Sequence, residues 1–157
     1  MVDPFEPASF RPQPPINIPA AAATFLALNA AWELAQLPLY TLWVDGSRSA
    51  IAYALIHCTF GDLLIGVCSF IFAWSTTRLF APANSARFYL FPIVFVVIGM
   101  GYTVFSEWLN VQVKQSWAYS DSMPTVPPLG TGLSPLLQWL IVPIVTFYLT
   151  RTRTTET

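Results

Sequence analysis

Four stretches of the chain are apolar over a length that suits a bilayer, and each is broken by a few polar residues at helical spacing. They cover about 19–43, 49–75, 87–113 and 134–150. A helix crossing a hydrocarbon core of about 30 Å needs about 20 apolar residues. The uncharged run from Phe88 to Ser106 comes close to that length by itself. The pattern predicts an all-α integral membrane protein, a four-transmembrane-helix bundle.

The boundaries have chemical reasons. Pro19 suits a first helical turn, where its missing N–H costs nothing. Pro38 comes late in the first span and should kink it or thin its last turn. Asp45-Gly46-Ser47 reads as a tight turn. Ser134-Pro135 reads as an N-cap followed by proline at the first helical position. Residues 1–18 form a proline-rich arm, 19–151 the membrane domain with an ordered loop at 114–132, and 152–157 a tail. The loop carries Trp117, Tyr119, Met123 and several prolines and glycines, which fits either an interfacial anchor or a lid over a cavity.

Composition strengthens this picture. The 157 residues are 55% hydrophobic and only 10% charged, against about 25% charged in a soluble domain. The net charge of -1 and the lack of a basic run give no reason to expect nucleic acid as a partner. Cys58 and Cys68 share one helix at a rise of roughly 15 Å, too far apart for a disulfide. With four spans, Arg11, Arg78, Arg87, Arg151 and Arg153 fall on one side, and Arg48 and Lys114 on the other. The excess of basic residues places both termini in the cytoplasm.

Ionisable side chains inside spans are costly and mark function by default. There are four: Glu33, His57, Asp62 and Glu107, accompanied by Asn29, Gln36, Asn110 and Gln138. Asn29, Glu33, Gln36 and Tyr40 share one face of the first helix, and Thr103, Glu107, Asn110 and Lys114 one face of the third. Ser134 and Gln138 share a face of the fourth. On the second, His57 and Gly61 share a face, while Asp62 lies about 140° round from His57. From the non-cytoplasmic end, Glu107 and Gln138 lie about 9 Å deep, His57 about 12 Å, Glu33 about 15 Å, and Asp62 and Asn29 about 20 Å. These depths predict a polar pocket in the outer half of the bilayer, open outward, with an apolar plug beneath and the aromatic loop at its mouth. Glu33, His57 and Glu107 are the expected catalytic groups. Asn29, Gln36, Asp62, Asn110, Trp117, Tyr119, Gln138 and Trp139 are the expected pocket residues.

Asn29-Ala-Ala-Trp-Glu33-Leu-Ala-Gln36 also aligns with Thr103-Val-Phe-Ser-Glu107-Trp-Leu-Asn110, which suggests a parallel repeat of two helical hairpins. The Trp117-Ala-Tyr119 loop, with Ser106-Glu-Trp-Leu-Asn110 and Pro135-Leu-Leu-Gln-Trp139, is loosely similar to integral-membrane carotenoid cyclases and hydratases. Their acidic Pro-x-Glu-Glu motif is replaced here by Pro135-Leu-Leu-Gln138, and no residue role is taken from them.

Two functional readings stand. One is a non-catalytic subunit or a lipid- or pigment-binding component of a membrane complex, with the bilayer, a hydrophobic ligand and a membrane-protein partner or second copy as its contacts. The alternative is an acid–base enzyme that hydrates, isomerises or cyclises a lipid or isoprenoid through Glu33 and Glu107, because desolvation and hydrogen bonding can separate the roles of two carboxyls. A proton relay through the four ionisable groups meets an apolar cytoplasmic half, and a metal site lacks the Glu-x-x-His pairs of di-metal bundles. No motif names a cofactor. The expected location is the cell membrane, crossed several times, which in a prokaryote is the inner membrane.

Overall fold

The computed structural model describes residues 16–80 and 85–151, without the side chains of 85–89. The proline-rich arm up to residue 15, the C-terminal tail, Arg11, Arg153 and the side chain of Arg87 lie outside the described residues. Helix α1 (Ile18–Gln36) tightens into a 3₁₀ turn at Leu37–Leu39, where Pro38 removes an N–H from the ladder. The short α2 (Leu42–Asp45) follows, then the long α3 (Arg48–Phe80). Helix α4 (Ser85–Glu107) continues as a π-helical segment over Trp108–Val113. A small antiparallel hairpin pairs β1 (Thr125–Val126) with β2 (Thr131–Gly132), and α5 (Leu133–Thr150) closes the chain. Four of these helices are long and apolar enough to cross a membrane.

The four form a ring in which α1 and α4 each pack against α3 and α5. At one end, the Asn17 N–H donates to the Thr150 carbonyl at 2.9 Å, joining the start of α1 to the end of α5. Asn17 also caps α1, its side chain accepting from the Ala20 N–H at 3.1 Å. At the other end, the 37–47 connection meets the 114–132 loop. Thr41 N donates to the Ala118 carbonyl at 3.0 Å, and Ser120 N to the Leu39 carbonyl at 2.9 Å.

The helices are built inside out relative to a soluble bundle. The buried face of α3 is Thr59, Asp62, Gly66, Ser69, Ala73 and Thr77, while Tyr53, Ile56, Phe60, Leu64 and Ile71 are exposed. Lipid is as apolar as leucine, so large apolar groups gain nothing by turning inward. Small and polar residues let helices approach and bond. The apolar core that does exist is aromatic: Phe25, Phe95 and Trp139 meet edge-on or tilted at centroid distances of 5.9–6.2 Å. Trp139 packs closely against α4 because Gly99 has no side chain. A Cβ there would fall 2.0 Å from the indole.

Candidate functional site

The buried polar groups meet one helical turn above that aromatic layer. Asn29, Glu33 and Gln36 are the inward residues of α1 above Phe25, at the spacing that keeps one face. Asp62 comes from α3 and Gln138 from α5, and all five are buried. Gln138 is the hub. Its Nε2 donates toward Asn29 Oδ1 at 2.9 Å, Glu33 Oε1 at 3.0 Å and Asp62 Oδ2 at 2.8 Å. An amide nitrogen has two hydrogens for these three acceptors, so one contact is shared. Its Oε1 accepts from Gln36 Nε2 at 3.3 Å, and Gln36 Nε2 also donates to Glu33 Oε1 at 2.7 Å. The Glu33 and Asp62 carboxyls therefore meet at one amide, within reach of each other and with the Trp139 indole beside Asp62.

A second layer lies toward the loop. Ser134 Oγ donates to Gln36 Oε1 at 2.8 Å and accepts from Trp32 Nε1 at 3.2 Å. The expected N-cap role of Ser134 does not hold. Gly132 occupies the cap position, without a side-chain cap, because the Ser134 hydroxyl is engaged in the network. Glu107 is buried and accepts from the Tyr119 hydroxyl. That hydroxyl in turn accepts from the Gly132 N–H at 2.9 Å. The Trp117 indole N–H is buried beside the Glu107 carboxyl without closing a hydrogen bond. Burial first, then its bond to Glu107, pushes the Tyr119 phenol above its ordinary range. The Tyr40 ring lies 5.5 Å from that of Tyr119. The Tyr119 phenol remains a hydrogen-bond donor throughout the neutral range.

Three expectations change. His57 is exposed on the outside of α3, its ring stacked on Tyr53 at 5.5 Å, and does not join the carboxyls. The 140° separation of His57 from Asp62 is real, but it is Asp62 that faces inward, beside Thr59. Asn110 also leaves the cluster. The π winding after Glu107 alters the turn, and Asn110 Nδ2 bonds back to the Ser106 carbonyl at 2.9 Å and to its Oγ at 3.3 Å, while Lys114 is exposed. The face shared by Thr103 and Glu107 thus stops at Glu107. Trp139 is a packing residue whose indole also reaches Asp62.

The third change concerns the pocket. The polar side chains bond one another beneath the loop instead of lining an open mouth. A cleft of about 180 Å³ lies instead in the apolar half, where a plug is expected from the sequence. Phe25, Gly66, Phe70, Phe95, Thr146 and Phe147 border it. Gly66 makes the space beside Phe25, since a Cβ there would come 2.7 Å from the ring. Phe25 stands one turn below Asn29, and Gly66 one turn below Asp62, so the cleft ends against the polar layer. Ser134, Trp32 and Tyr119 complete the site. Only the shared face of Ser134 and Gln138 signals Ser134 in the sequence, and nothing local signals Trp32.

No protein family, curated protein or solved structure matches the chain.

Proposed function

We propose that this chain holds an unsaturated lipid or isoprenoid in the membrane and moves protons to and from it at Glu33 and Asp62. The observation that carries the reading is the convergence of these two carboxyls, from different helices, on the Gln138 amide. Cost supports it. An acidic residue at the centre of a span is unfavourable by about 2.5–3.5 kcal/mol on an insertion scale. An interhelical polar bond in a membrane returns about 0.6 kcal/mol on average. Amides alone would join the helices more cheaply, so the carboxyls serve something other than assembly.

In this reading, one carboxyl in its acid form gives a proton to a carbon–carbon double bond, leaving a carbocation. The other carboxylate takes a proton from a neighbouring carbon and restores a double bond. The net change is isomerisation, or ring closure where a second double bond attacks the cation, and neither needs a co-reactant. Gln138 holds the pair in register, and the loop latched by Tyr119 and Glu107 keeps water from the cation. Glu107 thereby has a supporting place, and Asp62 takes the position assigned to Glu107 by its depth in the sequence. The termini lie in the cytoplasm and the loop outside in this reading, as the basic residues counted along the sequence, five against two, favour. The protein is a multi-pass protein of the cell membrane.

The test is carbon-bound deuterium. Membranes containing the protein are incubated in heavy water, and their unsaturated lipids are analysed by mass spectrometry. The reading expects incorporation that falls at least about 100-fold in Glu33→Gln and in Asp62→Asn, the scale of a lost general acid or base. Incorporation equal in the parent and both variants contradicts it.

One observation favours a second reading, a non-catalytic subunit. His57 is exposed within a span, where ionisable groups normally face a protein interior or a partner. A stoichiometric protein that co-purifies in mild detergent and is lost in His57→Leu would support it.

A further inference from the structure

We infer that the apolar cleft between α1, α3 and α5 binds the branched, unsaturated end of an isoprenoid chain. This rests on the acid–base reading above and names its substrate class. Three observations select the occupant. The first is size. At about 180 Å³ the cleft falls below the roughly 300–1,000 Å³ that encloses a whole drug-sized ligand. It is of a size to hold a chain end rather than to enclose a whole ligand. The second is position. Ile18 and Val67 border the cleft and are exposed, so it opens sideways into the hydrocarbon layer that supplies such chains. Its inner end stops one turn short of Asn29 and Asp62, so a chain lying in it directs its next double bond toward the carboxyls.

The third observation is a hydroxyl. Thr146 borders the cleft, is 3% exposed, and its Oγ1 has no hydrogen-bond partner. A buried hydroxyl without an acceptor is costly. The π face of an isoprene double bond is a weak acceptor for it, whereas a saturated acyl chain offers none. Phe25, Phe70, Phe95 and Phe147 surround the same space with ring edges and faces. A saturated chain would also bring nothing to Glu33 and Asp62 that proton transfer could change.

Photo-crosslinking of the full chain in liposomes tests this without turnover. Two probes are compared, a diazirine-bearing geranylgeraniol and a diazirine-bearing palmitate. The isoprenoid probe should label peptides 18–25, 63–70 and 143–147, at least about 10-fold above palmitate, the factor that one weak contact plus shape can supply. Ala22→Trp, which fills the cleft from an exposed position on its border, should abolish that labelling. Leu34→Trp, on an exposed face away from the cleft, should not. Thr146→Val should lower the isoprenoid preference several-fold, and Thr146→Ser should restore it. Equal labelling by the two probes, labelling spread over the outer faces of all spans, labelling unchanged by Ala22→Trp, or no labelling overturns the inference. Deuterium exchange that disappears in Glu33→Gln while labelling fails would overturn the cleft and leave the carboxyl reading standing. Labelling without any exchange would do the reverse.

Discussion

The two halves of this bundle use the same four helices for opposite purposes. Toward the loop, Asn29, Glu33, Gln36, Asp62 and Gln138 satisfy one another through short hydrogen bonds across three helices. Toward the termini, Phe25, Phe95 and Phe147 meet edge-on and a cleft remains open beside the Thr146 hydroxyl; buried groups without partners occur in both halves, Ser69 and Thr146 here, Thr59 and Trp117 toward the loop. A directional network fills its own space, so a chain can reach its carboxyls only from the apolar side. Aromatic packing around Gly66 leaves a gap that a flexible chain can enter. Trp139, packed against Gly99, stands at the boundary of the two. In the proposed reading, binding and chemistry fall to adjacent layers instead of one pocket.

The largest expected effect strikes the hub. Gln138→Leu takes the amide donor from Asn29 and Asp62 and one of two donors from Glu33, and each buried unsatisfied group costs about 1–3 kcal/mol. Unfolding in mixed micelles should show a loss of about 3 kcal/mol or more for this variant. Phe147→Leu in the other half should lose less than half of that, because lipid can fill the gap. Equal losses would erase the distinction between the halves.

Next is the latch. Tyr119→Phe removes the donor to Glu107 and the acceptor for Gly132 N–H. Amide exchange at Gly132 and its neighbours should speed up about 10-fold, the equivalent of about 1.4 kcal/mol, with the spans unaffected. Exchange speeding up throughout α1 and α5 would mean the loop holds the bundle together rather than covering it. The latch also has a pH signature. Its phenol is raised on folding, so the contribution is fully present below the ordinary phenol value of about 10 and fades as pH rises through the still higher folded value. Loop exchange, corrected for its intrinsic pH dependence, should be flat from neutral pH to about 10 and increase above it. The smallest effect belongs to Ser134→Ala, which breaks the links to Trp32 and Gln36 at the edge of the network and should cost about 0.5–1 kcal/mol in the same micelle unfolding assay.

Much of the bundle is legible in the sequence, because bilayer thickness imposes a length on each apolar run and helical spacing groups the polar residues. Asn29, Glu33 and Gln36 fall on one face by counting, and Ser134 and Gln138 likewise. Periodicity, however, gives only relative angles. It separates Asp62 from His57 without saying which one looks inward. That choice depends on neighbours, since Asp62 has Gln138 to bond while His57, among the described residues, stacks on Tyr53. The π segment after Glu107 breaks the count that carries Thr103 through to Lys114, and no local residue announces it. The cleft depends on Gly66 standing opposite Phe25 from another helix, a contact between residues 41 positions apart that no single-helix pattern contains.

In the proposed reading Glu33 and Asp62 are present for proton transfer and not for holding the helices. The free energy of unfolding of the Glu33→Gln/Asp62→Asn double variant in mixed micelles separates the two roles. Both substitutions keep the oxygen that Gln138 bonds and remove the acid. Stability should stay within about 1 kcal/mol of the parent, or rise above it, since two costly carboxyls have gone. A loss of about 3 kcal/mol or more, comparable with Gln138→Leu, would contradict it and return the carboxyls to a structural role.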